Sequence, residues 1–94
     1  MDVGCGSGYG TYYLANNGVK RIIGIDISFE AIKFARKHYK AKNLEFMQMN
    51  ALNLKFKNNF FDRIISFDVL EHIDGKDQSK FIAEISRVLK DEGG

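Results

Sequence analysis

The sequence predicts an α/β domain built on a mostly parallel sheet, and three observations carry that expectation. Arg21-Ile22-Ile23-Gly24-Ile25 is a continuous apolar run bounded by Lys20 and Asp26, the pattern of a strand covered on both faces. Strand-like runs alternate with stretches of helical periodicity, which argues for right-handed crossovers between parallel strands. The informative polar residues fall at the carboxyl ends of the strand-like runs, where ligands bind in such sheets.

Taken in order, Met1-Asp2-Val3 reads as the end of a first strand. Gly4-Cys5-Gly6-Ser7-Gly8 is a tight glycine-rich turn. Tyr9 to Asn17 fits a short helix, and Gly18 stands where a left-handed cap favours a residue without Cβ. The second strand is the apolar run ending at Asp26. Ser28 is then a favourable N-cap, and Glu30 suits the positive end of the helix dipole. Phe29, Ile32, Ala35 and Tyr39 recur at helical spacing, with Lys33, Arg36, Lys37 and Lys40 mostly on the other side. Leu44 to Met49 is a third strand, Asn58-Asn59 a turn, and Phe61 to Phe67 a fourth strand. Asp74 or Asp77 caps a last helix with an apolar stripe of Phe81, Ile85, Val88 and Leu89.

The chain's 94 residues suffice for one small domain. A net charge of +2 is too small to argue by itself for nucleic acid or a membrane surface. The single cysteine, Cys5, excludes an internal disulfide and a multi-cysteine zinc site. It fits the reducing cytosol, so a cytoplasmic setting is expected. The first residues lack the pattern of a secretory signal, and no apolar run approaches the ~20 residues of a membrane span.

Four segments carry candidate chemistry. In Asp2-Val3-Gly4-Cys5-Gly6-Ser7-Gly8 the glycines allow positive φ and close approach of backbone to a ligand. The following helix aims its free N–H groups at the same space. A dinucleotide fingerprint has glycines at its first, third and sixth places; here these are Gly4, Gly6 and Tyr9, so a nicotinamide oxidoreductase is disfavoured. Asp26 ends the next strand, eighteen residues after Gly8, and a short carboxylate there matches the two donors of a cis-diol. The third segment, Phe46 to Phe56, contains Asn50-Ala51, and the fourth runs from Phe61 to Ile73 through Ser66, Phe67, Asp68, Glu71 and His72.

Together these segments resemble the class I S-adenosylmethionine-dependent methyltransferases, close to the type 11 group. Asp2-x-Gly4-x-Gly6-x-Gly8 resembles the family's motif I, and the resemblance covers nearly the whole chain. It implies a Rossmann-like doubly wound parallel sheet of order 3-2-1-4. It implies a glycine turn against the methionine and ribose portions of the cofactor, with Asp2 helping to hold the methionine end. It gives the ribose hydroxyls to Asp26 and sets Ile27 against the adenine ring. Asn50 stands where the family has aspartate; its side-chain carbonyl can still accept from the adenine amino group, and the Ala51 N–H serves the ring. The backbone near Ser66 and Phe67 receives the methionine amino group.

His72 is a candidate general base, or a histidine that only shapes its loop. Asp68, Glu71 and His72 also invite a metal reading, but no further ligand can be assigned, and no metal site is expected. Compared with the family pattern, residues 1–94 read as a partial domain, lacking the start of the first strand and the fifth to seventh strands. The function so implied is methyl transfer from S-adenosylmethionine to an unidentified acceptor, this chain supplying the cofactor-binding half and turning over poorly alone. The alternative is a non-catalytic nucleotide-binding or interaction module on the same fold. Nothing indicates nucleic acid or a membrane as partner, and an open sheet edge invites self-association.

Overall fold

The computed structural model describes residues 1–66, 69 and 73–90. Its elements run β1 (Asp2–Val3), α1 (Tyr9–Ala15), β2 (Ile22–Asp26), α2 (Phe29–His38), β3 (Leu44–Gln48), β4 (Ile65–Ser66) and α3 (Gly75–Val88). The four strands form one sheet in the order β3-β2-β1-β4. Every pairing is parallel, as the alternation of strands and helices requires.

β2 is the spine. It pairs with β3 over five positions, from Ile22 opposite Leu44 to Asp26 opposite Gln48. On its other side Gly24 and Ile25 lie opposite Asp2 and Val3 of β1. Its alternating side chains feed two cores. Ile23 and Ile25 join Val3, Met49, Leu54, Phe61, Phe81 and Val88 on the α3 side. Ile32, Ala35 and Phe46 form the second core on the α2 side. Gly24 lies on that second side because Phe46 and the Thr11 methyl crowd it: a Cβ there would meet both at 3.0–3.1 Å. Ile25, Ile32 and Val88 are almost completely buried, and each such side chain contributes about 1.5–3 kcal/mol relative to exposure.

The helix ends follow local chemistry. Ser28 Oγ accepts from the Ala31 N–H at 3.1 Å and starts α2. α1 ends at Ala15, two residues short of Asn17. The Asn16 and Asn17 side chains turn back to donate to the Tyr12 and Tyr13 carbonyls, and Gly18 then takes φ +96°. Asp74 occupies the N-cap of α3, but its side chain makes no capping bond, and Asp77 lies inside the first turn.

The largest differences from the sequence expectation lie around β4 and the end of α3. The fourth strand begins at Ile65, not at Phe61; its described residues, Ile65 and Ser66, lie opposite Asp2 and Val3 of β1. Phe67 lies outside the described residues. Phe61 instead forms an isolated parallel bridge with Leu89, which has left the helix. The Lys90 N–H donates to the Phe61 carbonyl at 2.7 Å, and the Phe60 and Phe61 N–H groups donate to the Val88 carbonyl.

Candidate functional site

The glycine turn hangs from the end of β2. The Gly4 and Cys5 N–H groups both donate to the Ile25 carbonyl, at 2.8 and 2.9 Å. Gly4, Gly6 and Gly8 all have positive φ, at +73°, +56° and +94°, where a side chain is strained. Their surroundings differ. A Cβ on Gly8 would lie 2.8 Å from both Ala35 Cβ and Phe46 Cζ, and one on Gly4 would collide with Val69 Cγ2. Nothing lies within 4 Å of a Cβ on Gly6. Gly8 therefore seats the turn on the second core, and Gly6 is its open face.

Asp26 ties the turn to the next helix. Its Oδ2 accepts from the Gly6 N–H and its Oδ1 from the Ser28 N–H, both at 2.9 Å. A carboxylate has about four acceptor sites, so capacity remains on the side facing away from the backbone. The next residue, Ile27, is 61% exposed although it is large and apolar. Its loop is held by the end of β3: Gln48 Nε2 donates to the Ile27 carbonyl at 3.0 Å, and the Met49 N–H donates to the Asp26 carbonyl. Asn50 Oδ1 accepts from the Leu52 N–H at 2.9 Å, an Asx turn that fixes the Asn50-Ala51 backbone.

Asp2 sits beneath this surface. It is buried, and its Oδ2 accepts from Thr11 Oγ1 at 2.6 Å. Burial pushes its pKa up, against the lowering effect of the Thr11 hydroxyl. Burial, reinforced by the negative charges of Asp2 and Asp26, also pushes the Cys5 thiol up to about 12. Cys5 is thus a small packing group at neutral pH, not a nucleophile.

A cavity of about 530 Å³ opens at the carboxyl ends of β1, β2 and β3, within the usual range for small-molecule sites. Of the residues singled out in the sequence, Gly4, Asp26, Ile27, Asn50 and Ala51 line it together. Asp2, Gly6, Gly8 and Ser66 do not, Asp2 and Gly8 acting on the turn from below. Phe67, Asp68, Glu71 and His72 lie outside the described residues. No metal-binding group of three or more ligands occurs among the described residues. Met49, Leu52, Ile73 and Asp77 are among the other residues of the wall. The sequence offered their apolar or capping character, not their approach to one another. A second cavity, about 790 Å³ and lined by Met1, Val19, Ile22, Phe61 and Ile65 among others, lies at the opposite ends of the strands. Ligands of such sheets are not found there, so the smaller cavity is the candidate site.

The family model described as "Methyltransferase domain" matches residues 1–94. Cyclopropane-fatty-acyl-phospholipid synthase of Escherichia coli is 32% identical over 93 residues, covering 99% of this chain and 24% of that protein. Phosphoethanolamine N-methyltransferase of Triticum aestivum is 36% identical over 78 residues, covering 81% of this chain and 15% of that protein. A solved S-adenosylmethionine-dependent methyltransferase from Methanosarcina mazei superposes with a TM-score of 0.81 at 36% identity. That match covers 95% of this chain and 46% of the solved one. The chain thus spans a quarter or less of these two curated relatives.

Proposed function

The chain belongs to the methyltransferase domain family, whose cofactor is S-adenosylmethionine, and on that premise we propose that its 530 Å³ cleft is the cofactor site of a methyl-transfer enzyme. One observation carries the reading: Asp26, the exposed Ile27 and the Asn50-Ala51 turn converge on a single wall of that cleft. The donor set fits the cofactor. The acceptor sites that Asp26 keeps beyond Gly6 and Ser28 suit the two ribose hydroxyls. Ile27 offers a bare apolar surface to the adenine ring, and Asn50 and Ala51 meet the ring's polar edge. The open face of Gly6 lets a ligand approach the backbone closely, in a turn whose shape Gly8 fixes from below. Asp2 is a positioning residue for that turn, its carboxylate bound to Thr11 beneath. By the family pattern the backbone near Ser66 and Phe67 is expected to receive the methionine amino group, and His72 remains a candidate base for the acceptor.

When bound, S-adenosylmethionine supplies a methyl group on a positively charged sulfur, open to in-line displacement. The chain's residues contribute binding and alignment, which alone can account for much of such a rate. The acceptor is unidentified. As the cofactor-binding half of a larger catalytic unit, this chain is expected to turn over well below the ordinary ~1 s⁻¹ in isolation. Copies associate through the outer edge of β4, which takes no strand partner among the described residues. The cytoplasmic setting belongs to the same reading; no helix among the described residues is long and apolar enough to cross a membrane.

The test is calorimetric titration of S-adenosylhomocysteine into the wild-type chain and the Asp26→Asn variant. Loss of the charge-assisted hydrogen bonds to ribose should weaken binding by about 1.5–3 kcal/mol. Equal affinity in two well-folded samples would remove the ribose assignment. Binding without transfer of labelled methyl to any of a broad set of acceptors, in a protein that includes this domain, would favour the non-catalytic module.

A further inference from the structure

The small net charge hides a segregation. Residues 29–42 carry five cations and one anion, Glu30, so this stretch holds +4 in a chain whose total is +2. The cations are displayed by α2 and the residues after it: Lys33, Lys37, Lys40 and Lys42 are all exposed. Arg36 is exposed as well, but its Nε and Nη2 are both committed to the Phe46 carbonyl.

The same surface shows aromatic rings that the cores do not use. With Ile32 and Ala35 buried, the helical repeat turns Lys33 and Lys37 outward on α2 and sets Phe34 beside them. Phe34 is 46% exposed and leans on the His38 ring, 4.1 Å away. α1 lies alongside on the same face of the sheet, where Thr11, Ala35 and Phe46 converge on Gly24 and Gly8. Its Tyr9 and Tyr13, one turn apart, are 65% and 57% exposed. Tyr39, between Tyr9 and Tyr12, joins the two helices.

From this arrangement we infer that the outer α1–α2 face docks on an anionic phospholipid surface. Lysines at the level of the headgroups and aromatic rings at the boundary with the acyl chains are the two components of interfacial binding. The shape favours a membrane over a nucleic-acid strand. A strand needs a groove and bare ring faces for stacking. Neither of the two cavities includes a residue of this patch, and Tyr39 and Phe34 already pack against Tyr9, Tyr12 and His38. The cleft opens at the strand ends, so docking by this face leaves it clear.

The experiment is co-sedimentation of the chain with vesicles of pure phosphatidylcholine and with vesicles containing phosphatidylserine. The wild type should bind the anionic vesicles, and binding should weaken as salt shortens the Debye length. The Lys33→Gln, Lys37→Gln, Lys40→Gln triple variant should lose about 10²-fold in partitioning. Phe34→Ser should lose about tenfold. Lys76→Gln with Lys80→Gln, on α3 at the far side of the sheet, should change nothing. Circular dichroism keeps unfolded variants out of the comparison. The inference is overturned by equal binding to both vesicle types, by no binding to either, by equal losses in the α3 variant, or by binding to a single-stranded oligonucleotide alone.

Discussion

β2 and β3 pair over five positions, whereas β4 meets β1 over only two. The helices that follow show the same difference. Ser28 caps α2 with a side-chain bond, while Asp74 at the start of α3 makes none. Residues 54–58 are instead tied to α3 by a side-chain clamp. Arg87 donates to the carbonyls of Leu54 and Phe56, to Asn58 Oδ1 and to both oxygens of Glu84. Glu84 in turn accepts from the Leu54 N–H, and Arg87 holds its carboxyl below the ordinary value. A five-residue backbone ladder thus dominates the geometry up to residue 50, whereas after it short backbone pairings and the burial of Leu54, Phe61, Phe81 and Val88 are joined by this side-chain clamp. Most of the residues that line the cleft at the strand ends, Val3 through Leu52, stand on the laddered part or just after it.

The largest effect that would break this comparison is expected at Gly8. Gly8→Val drives a branched side chain onto Ala35 and Phe46 at φ +94°, costing about 3–5 kcal/mol from overpacking and backbone strain together. That is comparable to the whole stability of a small domain. Gly6→Ala has open space and bears only the strain of φ +56°, about 1–2 kcal/mol. Thermal melts of the two variants should differ accordingly; equal losses would mean that the turn is not seated on the second core.

A smaller effect depends on pH. Burial raises the pKa of Asp2 in the folded chain, above an unfolded value of about 3.9. The associated stability is full below that unfolded value and is lost as pH rises through the raised folded one. Urea midpoints between pH 4 and pH 7 should therefore fall more steeply with pH for the wild type than for Asp2→Asn. Parallel curves would contradict the burial of an ionisable Asp2. The smallest effect separates the two helix starts. Ser28→Ala should cost about 1 kcal/mol, and Asp74→Ala should stay within about 0.5 kcal/mol. A full capping loss at Asp74 would show that the two halves are held alike.

The same division explains what the sequence made legible. The apolar run before Asp26, the Ser28 cap and the glycine turn are local patterns, and each sits where the pattern places it. The sheet order 3-2-1-4 also holds. The start of β4 did not follow from its apolar residues, because pairing begins only where β1 does, at Asp2 opposite Ile65. Leu89 fits the helical stripe equally well as the residue that bridges to Phe61, and periodicity cannot separate the two. The Thr11 hydroxyl on Asp2 and the reach of Arg87 over some thirty residues depend on how helices sit on the sheet. No run of neighbouring residues encodes that. In the site, Gly4, Asp26, Ile27, Asn50 and Ala51 line one cleft at the strand ends, while Asp2 is buried against Thr11 and is not among the residues that line it.

The central claim is that the cofactor lies in the cleft at the carboxyl ends of the strands. The most direct measurement follows backbone amide resonances of the chain through a titration with S-adenosylhomocysteine. Saturable shifts are expected at Gly4, Gly6, Ile27 and Ala51, with Val19, Arg21 and Phe61 around the opposite cavity left unchanged. Shifts confined to that opposite cavity, or none at saturating ligand in a folded sample, would contradict it.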